Sequence, residues 1–221
     1  MQARKQKIFI NLLEIFKPPI RICKICLKPI HNWNIYGFFH KSCSICSVCQ
    51  NRLVPLFYKF SINQIPCLSI YKYDDDIKTF LYQLKACYDI ELATIFIERF
   101  AKELHYKYHD FYLVPAPSFH DDDIKREFKH VEEIFRPLHL PFLSIVEKIA
   151  PFKQADHNKE QRKDISLYFK LKSNDKLYGK KILIVDDVFT TGSTVKAIIK
   201  LVKELNPKKI EVLVMSKTFL D

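Results

Sequence analysis

The segment KKILIVDDVFTTGST, Lys180 to Thr194, decides the fold. Its first half, Ile182-Leu183-Ile184-Val185, is an unbroken apolar run, the composition of a strand covered on both faces as in a parallel sheet. Asp186 and Asp187 stand at its C-terminal end, and Thr190, Thr191, Gly192, Ser193 and Thr194 follow. A helical period opens at once with Val195, Ala197, Ile198, Ile199, Leu201, Val202 and Leu205. Strand, polar turn and helix in this order bind phosphate in open α/β sheets, because the free N–H groups and the dipole at the helix N-terminus face the anion. Hydroxyls crowd the turn, and Gly192 lets the backbone bend and approach closely. The aspartates repel a phosphate and need another partner. Ribose hydroxyls suit them, since a carboxylate accepts two hydrogen bonds from a cis-diol. One segment would then recognise a ribose 5-phosphate. The plainer alternative is an α/β turn whose Asp and Thr side chains cap a helix.

The rest of the composition fits a folded chain with a polyanionic partner. At 221 residues and 48% hydrophobic content there is ample material for one large domain, or for a domain with a small module. The formal net charge of +11 points to a nucleic acid or an anionic surface, or else to a generally lysine-rich composition. No apolar run is long enough to cross a membrane. The N-terminus is basic, then apolar (Ile8, Leu12, Leu13, Ile15, Phe16), and is interrupted by Glu14 and Lys17. That pattern suits an amphipathic helix ending before Pro18 better than a cleavable leader. The expected location is cytoplasmic.

Seven cysteines, an odd number bunched in CxxC spacing, suit a reducing compartment and a metal better than disulfides. Cys23 and Cys26 form one pair; Cys43, Cys46 and Cys49 follow at three-residue spacing. Four thiolates from two such pairs make a closed tetrahedral structural zinc site with no open position for catalysis. An internal echo selects the second pair: Ile30 follows Cys26 at the interval at which Leu53 follows Cys49. The expected ligands are therefore Cys23, Cys26, Cys46 and Cys49, with Cys43 or His40 in reserve. Buried free thiols are the alternative. Cys67 and Cys87 fall in apolar patterns and read as core.

Along the chain, residues 56–73 read as a hairpin or two short strands. Asp74-Asp75-Asp76 opens a helix whose apolar face is Ile77, Phe80, Leu81 and Leu84 and which Lys85 closes; the triplet complements the helix dipole more simply than it binds a metal. A second helix is expected over about 88–105. Phe111 to Val114 reads as a buried strand ending in the stiff loop Pro115-Ala116-Pro117-Ser118, a place for a second anion. A helix over about 122–138, capped by Asp121-Asp122-Asp123, carries Lys125, Arg126, Lys129 and His130. Residues 150–164, with Lys153, His157, Lys159, Arg162 and Lys163, form either a loop that folds over bound phosphates or an exposed linker. Strands near 166–171, 181–186 and 210–216 complete the sheet.

With these motifs in order, the chain resembles the ComF family of competence proteins. The resemblance rests on the paired CxxC ribbon, Lys85 after the first helix, Val114-Pro115-Ala116-Pro117, Gln154 and Arg162 in the following loop, and the Asp186-to-Thr194 signature of type I phosphoribosyltransferases. It departs from the family at Arg126-Glu127-Phe128-Lys129, where relatives have an arginine followed by Gly-Phe-Asn. The resemblance implies an α/β fold, a type I phosphoribosyltransferase-like open, mostly parallel sheet with helices on both faces. A small zinc ribbon precedes it, with 1–55 as helix and ribbon and 56–221 as the larger domain. It implies that Asp186 and Asp187 hold ribose hydroxyls and offset the positive charge developing at the anomeric carbon. It implies that Thr190, Thr191, Gly192, Ser193 and Thr194 hold the 5-phosphate of phosphoribosyl pyrophosphate, with Mg2+ on the pyrophosphate. It further implies single-stranded DNA binding during uptake, for which Lys85, Arg126, Lys129, Lys153, Arg162 and Lys163 are the expected cationic contacts. A helicase-like or DNA-processing competence protein is the implied partner, and a position beside the uptake machinery at the inner membrane, without insertion, the implied place. The alternative function is an active phosphoribosyltransferase with a nucleobase or amine acceptor.

Overall fold

A computed structural model of the chain describes residues 21–30, 44–149, 168–173 and 175–219. The expected N-terminal helix, His40, Cys43, Lys153, Gln154, Arg162 and Lys163 lie outside the described residues. The described chain opens with a two-residue hairpin, β1 (Arg21–Ile22) against β2 (Pro29–Ile30), and a single turn of helix, α1 (Ser47–Gln50). The hairpin β3 (Pro55–Ile62) and β4 (Ile65–Lys72) comes next, as its alternation implied. Helix α2 (Asp75–Ala86) then begins where the acidic triplet placed it: the Asp74 side chain caps it by accepting from the Ile77 N–H at 3.0 Å.

The remaining elements are α3 (Ala101–Tyr108), β5 (Phe111–Pro115), α4 (His120–Arg126), α5 (His130–Phe135), β6 (Val146–Lys148), β7 (Phe169–Leu171), β8 (Lys181–Phe189), α6 (Ser193–Glu204) and β9 (Lys209–Lys217). The main sheet has the order β3-β4-β9-β8-β5, all parallel except the edge strand β3. The Ile182–Val185 run lies in a strand flanked on both sides and buried on both faces. Ile182 and Ile184 pack with Val195, Ile198 and Val202 of α6, whereas Leu183 and Val185 pack in a separate cluster with residues of α2 and α5. The period-two alternation of the strand thus feeds two cores, one per face.

Four expectations need correction. The helix expected over 88–105 is instead a pair of 3-10 turns, Ile90–Phe96 and Glu98–Phe100, before α3. The helix expected over 122–138 is broken at Glu127, which takes a left-handed φ of 63° after α4, although the 3-10 turn Arg136–Leu138 does end, at left-handed His139, near the expected limit. Its acidic triplet occupies the first turn, and Phe119 holds the cap position without a side-chain bond. The strand near 166–171 does not complete the main sheet; among the described residues β7 pairs with β6, in a separate two-stranded sheet. Cys87 ends α2 as an exposed C-cap residue, whereas Cys67 is buried as expected.

The helical segments that follow β5 and β8 depart to opposite faces of the sheet, since α5 packs in the cluster with Leu183 and α6 in the cluster with Ile184. Neighbouring strands that diverge this way leave a crevice at their C-terminal ends, the usual ligand position in open α/β sheets. Asp186 and Asp187 end one wall of it, and Pro115 to Ser118 leave from the other.

Candidate functional site

The two aspartates leave β8 in different directions and meet different partners. Asp186 lines a cleft of about 230 Å³ together with Thr190, Thr191, Gly192, Ser193 and Thr194. Of the expected ribose-phosphate set, all but Asp187 border this one space. Gly192 turns the chain with a φ of 72° and takes the N-cap position of α6, so the first N–H groups of a twelve-residue helix open into that cleft. No side chain caps them; the Thr191 and Ser193 hydroxyls instead bond to each other at 2.7 Å.

Asp187 faces the other way, into a buried polar network. Its Oδ2 accepts from the Lys85 ammonium and from His130 Nε2 at 3.1 Å, and its Oδ1 accepts from the Val188 N–H at 2.7 Å. Its own N–H donates to Asp186 Oδ1 at 2.9 Å. The charges divide accordingly. Burial and the neighbouring Asp187 charge push the Asp186 carboxyl well above the usual range. Burial works in the same direction on Asp187, but Lys85 and His130 outweigh it and hold that carboxyl well below the usual range. Burial disfavours the Lys85 charge, and the two carboxylates more than restore it. Paired carboxyls pushed apart in this way are what acid and base roles at one site require.

His130 is a residue that the sequence reading placed on a helix without a function. Burial lowers its proton affinity. Its Nδ1 faces Arg126 Nη1 at 2.9 Å and Ser118 Oγ at 3.1 Å. A guanidinium only donates, so Nδ1 accepts and the ring proton sits on Nε2, pointing at Asp187. Ser118, His130 and Asp187 stand in the order of a nucleophilic triad, but Arg126 occupies the lone pair that would take the serine proton. The three are therefore not a hydrolytic site. No spacing in the sequence signals His130, because its partner is 57 residues away.

The cysteine cluster assembles from the expected four. The sulfurs of Cys23, Cys26, Cys46 and Cys49 all lie within 4.8 Å of one another. The Cys26–Cys46 sulfur separation of 3.7 Å matches the roughly 3.8 Å edge of a tetrahedron with zinc–sulfur bonds of about 2.3 Å. Leu27, at a left-handed φ of 56°, closes the first knuckle, and Cys46 caps α1 in the second. Burial raises the Cys23 thiol, but N–H groups of Cys26, Cys46 and Ile25 bring it down to about 6, which suits a metal-binding thiolate. The four residues fit a closed structural zinc. The ribbon is fastened to the 90–100 segment by Ser44 on Glu98 and by Lys24 on Thr94 and Glu91, while Ile45 and Leu53 join the core beneath.

The cations expected to meet nucleic acid are placed unevenly. Lys85 bonds to Asp187, Arg126 to Asp123 and His130, and exposed Lys129 to Glu132. A second cleft, of about 370 Å³, opens at the end of β5 between Pro115–Ser118 and β6 and includes Lys129, Lys148 and Lys172.

Comparison with known proteins fits this geometry. The family described as "Phosphoribosyl transferase domain" matches residues 138–217, which include β8, the polar turn, α6 and β9. Residues 138–217 are thus similar to that domain family. The resemblance to the ComF family also holds: the chain is 29% identical over 143 residues to "Competence protein ComFC" of Streptococcus pneumoniae. That match covers 65% of this chain and 64% of the relative, just under two thirds of its length. Among solved structures, a hypoxanthine phosphoribosyltransferase of Staphylococcus aureus is 12% identical with a TM-score of 0.39, covering 60% of this chain and 75% of that one. A purine phosphoribosyltransferase of Pyrococcus horikoshii is 16% identical with a TM-score of 0.31, covering 67% and 78%. Among the described residues no helix is long and apolar enough to cross a membrane.

Proposed function

We propose that the chain binds phosphoribosyl pyrophosphate in the cleft at the end of β8 and serves DNA uptake in natural transformation. The observation that carries this reading is the convergence of Asp186, Thr190 to Thr194 and the open N-terminus of α6 on one cleft. The 5-phosphate sits against the N–H groups of that helix, where the dipole favours it. The Asp186 carboxyl lies where it can take ribose hydroxyls, and Asp187, already anchored by Lys85 and His130, supplies a fixed negative charge behind it. That charge opposes positive charge developing at the anomeric carbon, and burial strengthens it. Mg2+ with the pyrophosphate would neutralise the leaving group, and Asp186, which lines the cleft, would be a carboxyl available to hold it. Zinc held by Cys23, Cys26, Cys46 and Cys49 would fix the ribbon. Competence enters from the name of the pneumococcal relative, and single-stranded DNA from the net charge of +11.

The test is calorimetric titration of phosphoribosyl pyrophosphate with Mg2+ into the full chain and into Asp186→Ala. Binding to the wild type that Asp186→Ala loses supports the reading; no binding to a folded wild type refutes it. For DNA, the affinity for a single strand should fall with salt at a log–log slope of roughly −0.7 per neutralised phosphate. Absence of binding at low salt would remove that part.

A second reading is an active transferase with a nucleobase or amine acceptor. The cleft at the end of β5 favours it, since it offers space beside the first. Release of pyrophosphate that depends on an added acceptor would establish it.

A further inference from the structure

Asp187 can play its part only if its carboxylate is held in one orientation. Two groups reach its Oδ2. The Lys85 ammonium sits at the end of a long, half-exposed chain, while the His130 ring is 6% exposed and pinned at its opposite edge. The pin comes from elsewhere in the fold: Arg126 from α4 donates to Nδ1, and the Ser118 hydroxyl from the loop after β5 lies 3.1 Å from the same nitrogen. Arg126 is itself fixed by Asp123 at 3.3 Å. A chain of contacts therefore runs from the loop after β5, through one imidazole, to the end of β8.

We propose that His130 is a positioning residue, a neutral strut that fixes the Asp187 carboxylate and ties its orientation to the loop after β5. It touches neither the phosphate turn nor the cleft lined by Asp186. Its chemistry is set by what faces it: Arg126 and Ser118 from one edge, Asp187 and the neighbouring Lys85 from the other. Two cations flank the ring, so a second ring proton would be repelled, and it would have to displace the Arg126 hydrogen bond. The ring therefore serves as a fixed donor–acceptor pair and neither takes up nor releases a proton. An amide side chain has the same two faces, N–H toward Asp187 and C=O toward Arg126. The inference rests on the ribose-phosphate reading for its functional readout only.

The experiment compares wild type, His130→Ala and His130→Gln in the full chain. Titration with phosphoribosyl pyrophosphate and Mg2+ should show about a tenfold or greater loss for His130→Ala, the weight of one charge-assisted hydrogen bond. For His130→Gln, affinity should stay within about threefold of wild type at both about pH 6 and about pH 8. An equal loss in both variants, or none in His130→Ala, overturns the proposal. Imidazole nitrogen shifts measured by NMR give a readout that needs no ligand. A single Nε2–H tautomer across that pH range is expected, and a ring that titrates refutes the strut. If the folded wild type binds no phosphoribosyl pyrophosphate, the functional reading falls, and the NMR result still decides whether the strut exists.

Discussion

Replacing Gly192 with alanine tests the phosphate turn directly. Gly192 has a φ of 72°, and a Cβ built there would lie 2.3 Å from Phe189 Cζ and 2.5 Å from Cε2. Both numbers count against the substitution. The left-handed conformation costs a non-glycine residue roughly 1–2 kcal/mol. The close approach adds to it, because the Phe189 ring is not free to retreat: it is 8% exposed, lies edge-on to Phe60 at 4.9 Å, and has Lys217 Nζ 5.9 Å from its centre. Displacing a packed ring costs typically about 1–3 kcal/mol. Together these give about 3 kcal/mol, or a fall in Tm of about 6–12 °C for a domain of this size. Thermal unfolding of wild type and Gly192→Ala measures it. The same variant should lose phosphoribosyl pyrophosphate binding, since relief of the clash moves the N–H groups of residues 192–194. A variant within about 0.5 kcal/mol of wild type would show that the turn is not held against Phe189, and the reasoning would fail.

Other outcomes follow from the same geometry. Glu127, exposed at a left-handed φ of 63°, should give about 1 kcal/mol of stability on substitution by glycine, read from urea unfolding. Asp186→Asn should stabilise the fold at pH 8 and change little near pH 4. With its native carboxyl raised above the unfolded value, the wild type loses stability as pH climbs from the unfolded value to that raised value; denaturant midpoints at the two pH values decide this. The same variant should bind phosphoribosyl pyrophosphate less well, so stability and binding move in opposite directions. Elemental analysis should find one zinc per chain, lost in Cys26→Ser, and chelation should expose the Ser44–Glu98 junction to faster amide exchange.

What the sequence revealed, and what it hid, separates by the range of the interaction. The Ile182–Val185 run, the Asp74 cap and the hairpin of β3 and β4 are set by neighbours within a few residues, and each is where its pattern put it. The cysteine echo found four sulfurs that do come together. The apolar spacing of 122–138 suits a helix throughout and hides a left-handed break at Glu127, a residue with no composition signal for φ above zero. Phe169 to Leu171 has the composition of a core strand, but only tertiary contacts decide that it pairs with β6. Lys85 looks like a surface cation on its helix, and its engagement with Asp187 becomes visible only when the sheet brings the two together. His130 is hidden for the same reason. Spacing arguments end at the length of one element, and this network joins four.

The separation of its members along the chain also bears on how the protein folds. Lys85 and Asp187 are 102 residues apart, and His130 and Asp187 are 57 apart. Loops of that length make such contacts slow to find, and their polar partners repay the lost chain entropy only after water has been excluded. The Asp187 clasp is therefore a late event, formed once β4, β9, β8 and β5 have already aligned. Mutations within it should speed unfolding and leave the folding rate nearly unchanged, which makes the centre of the site a latch on a finished sheet instead of a seed for it.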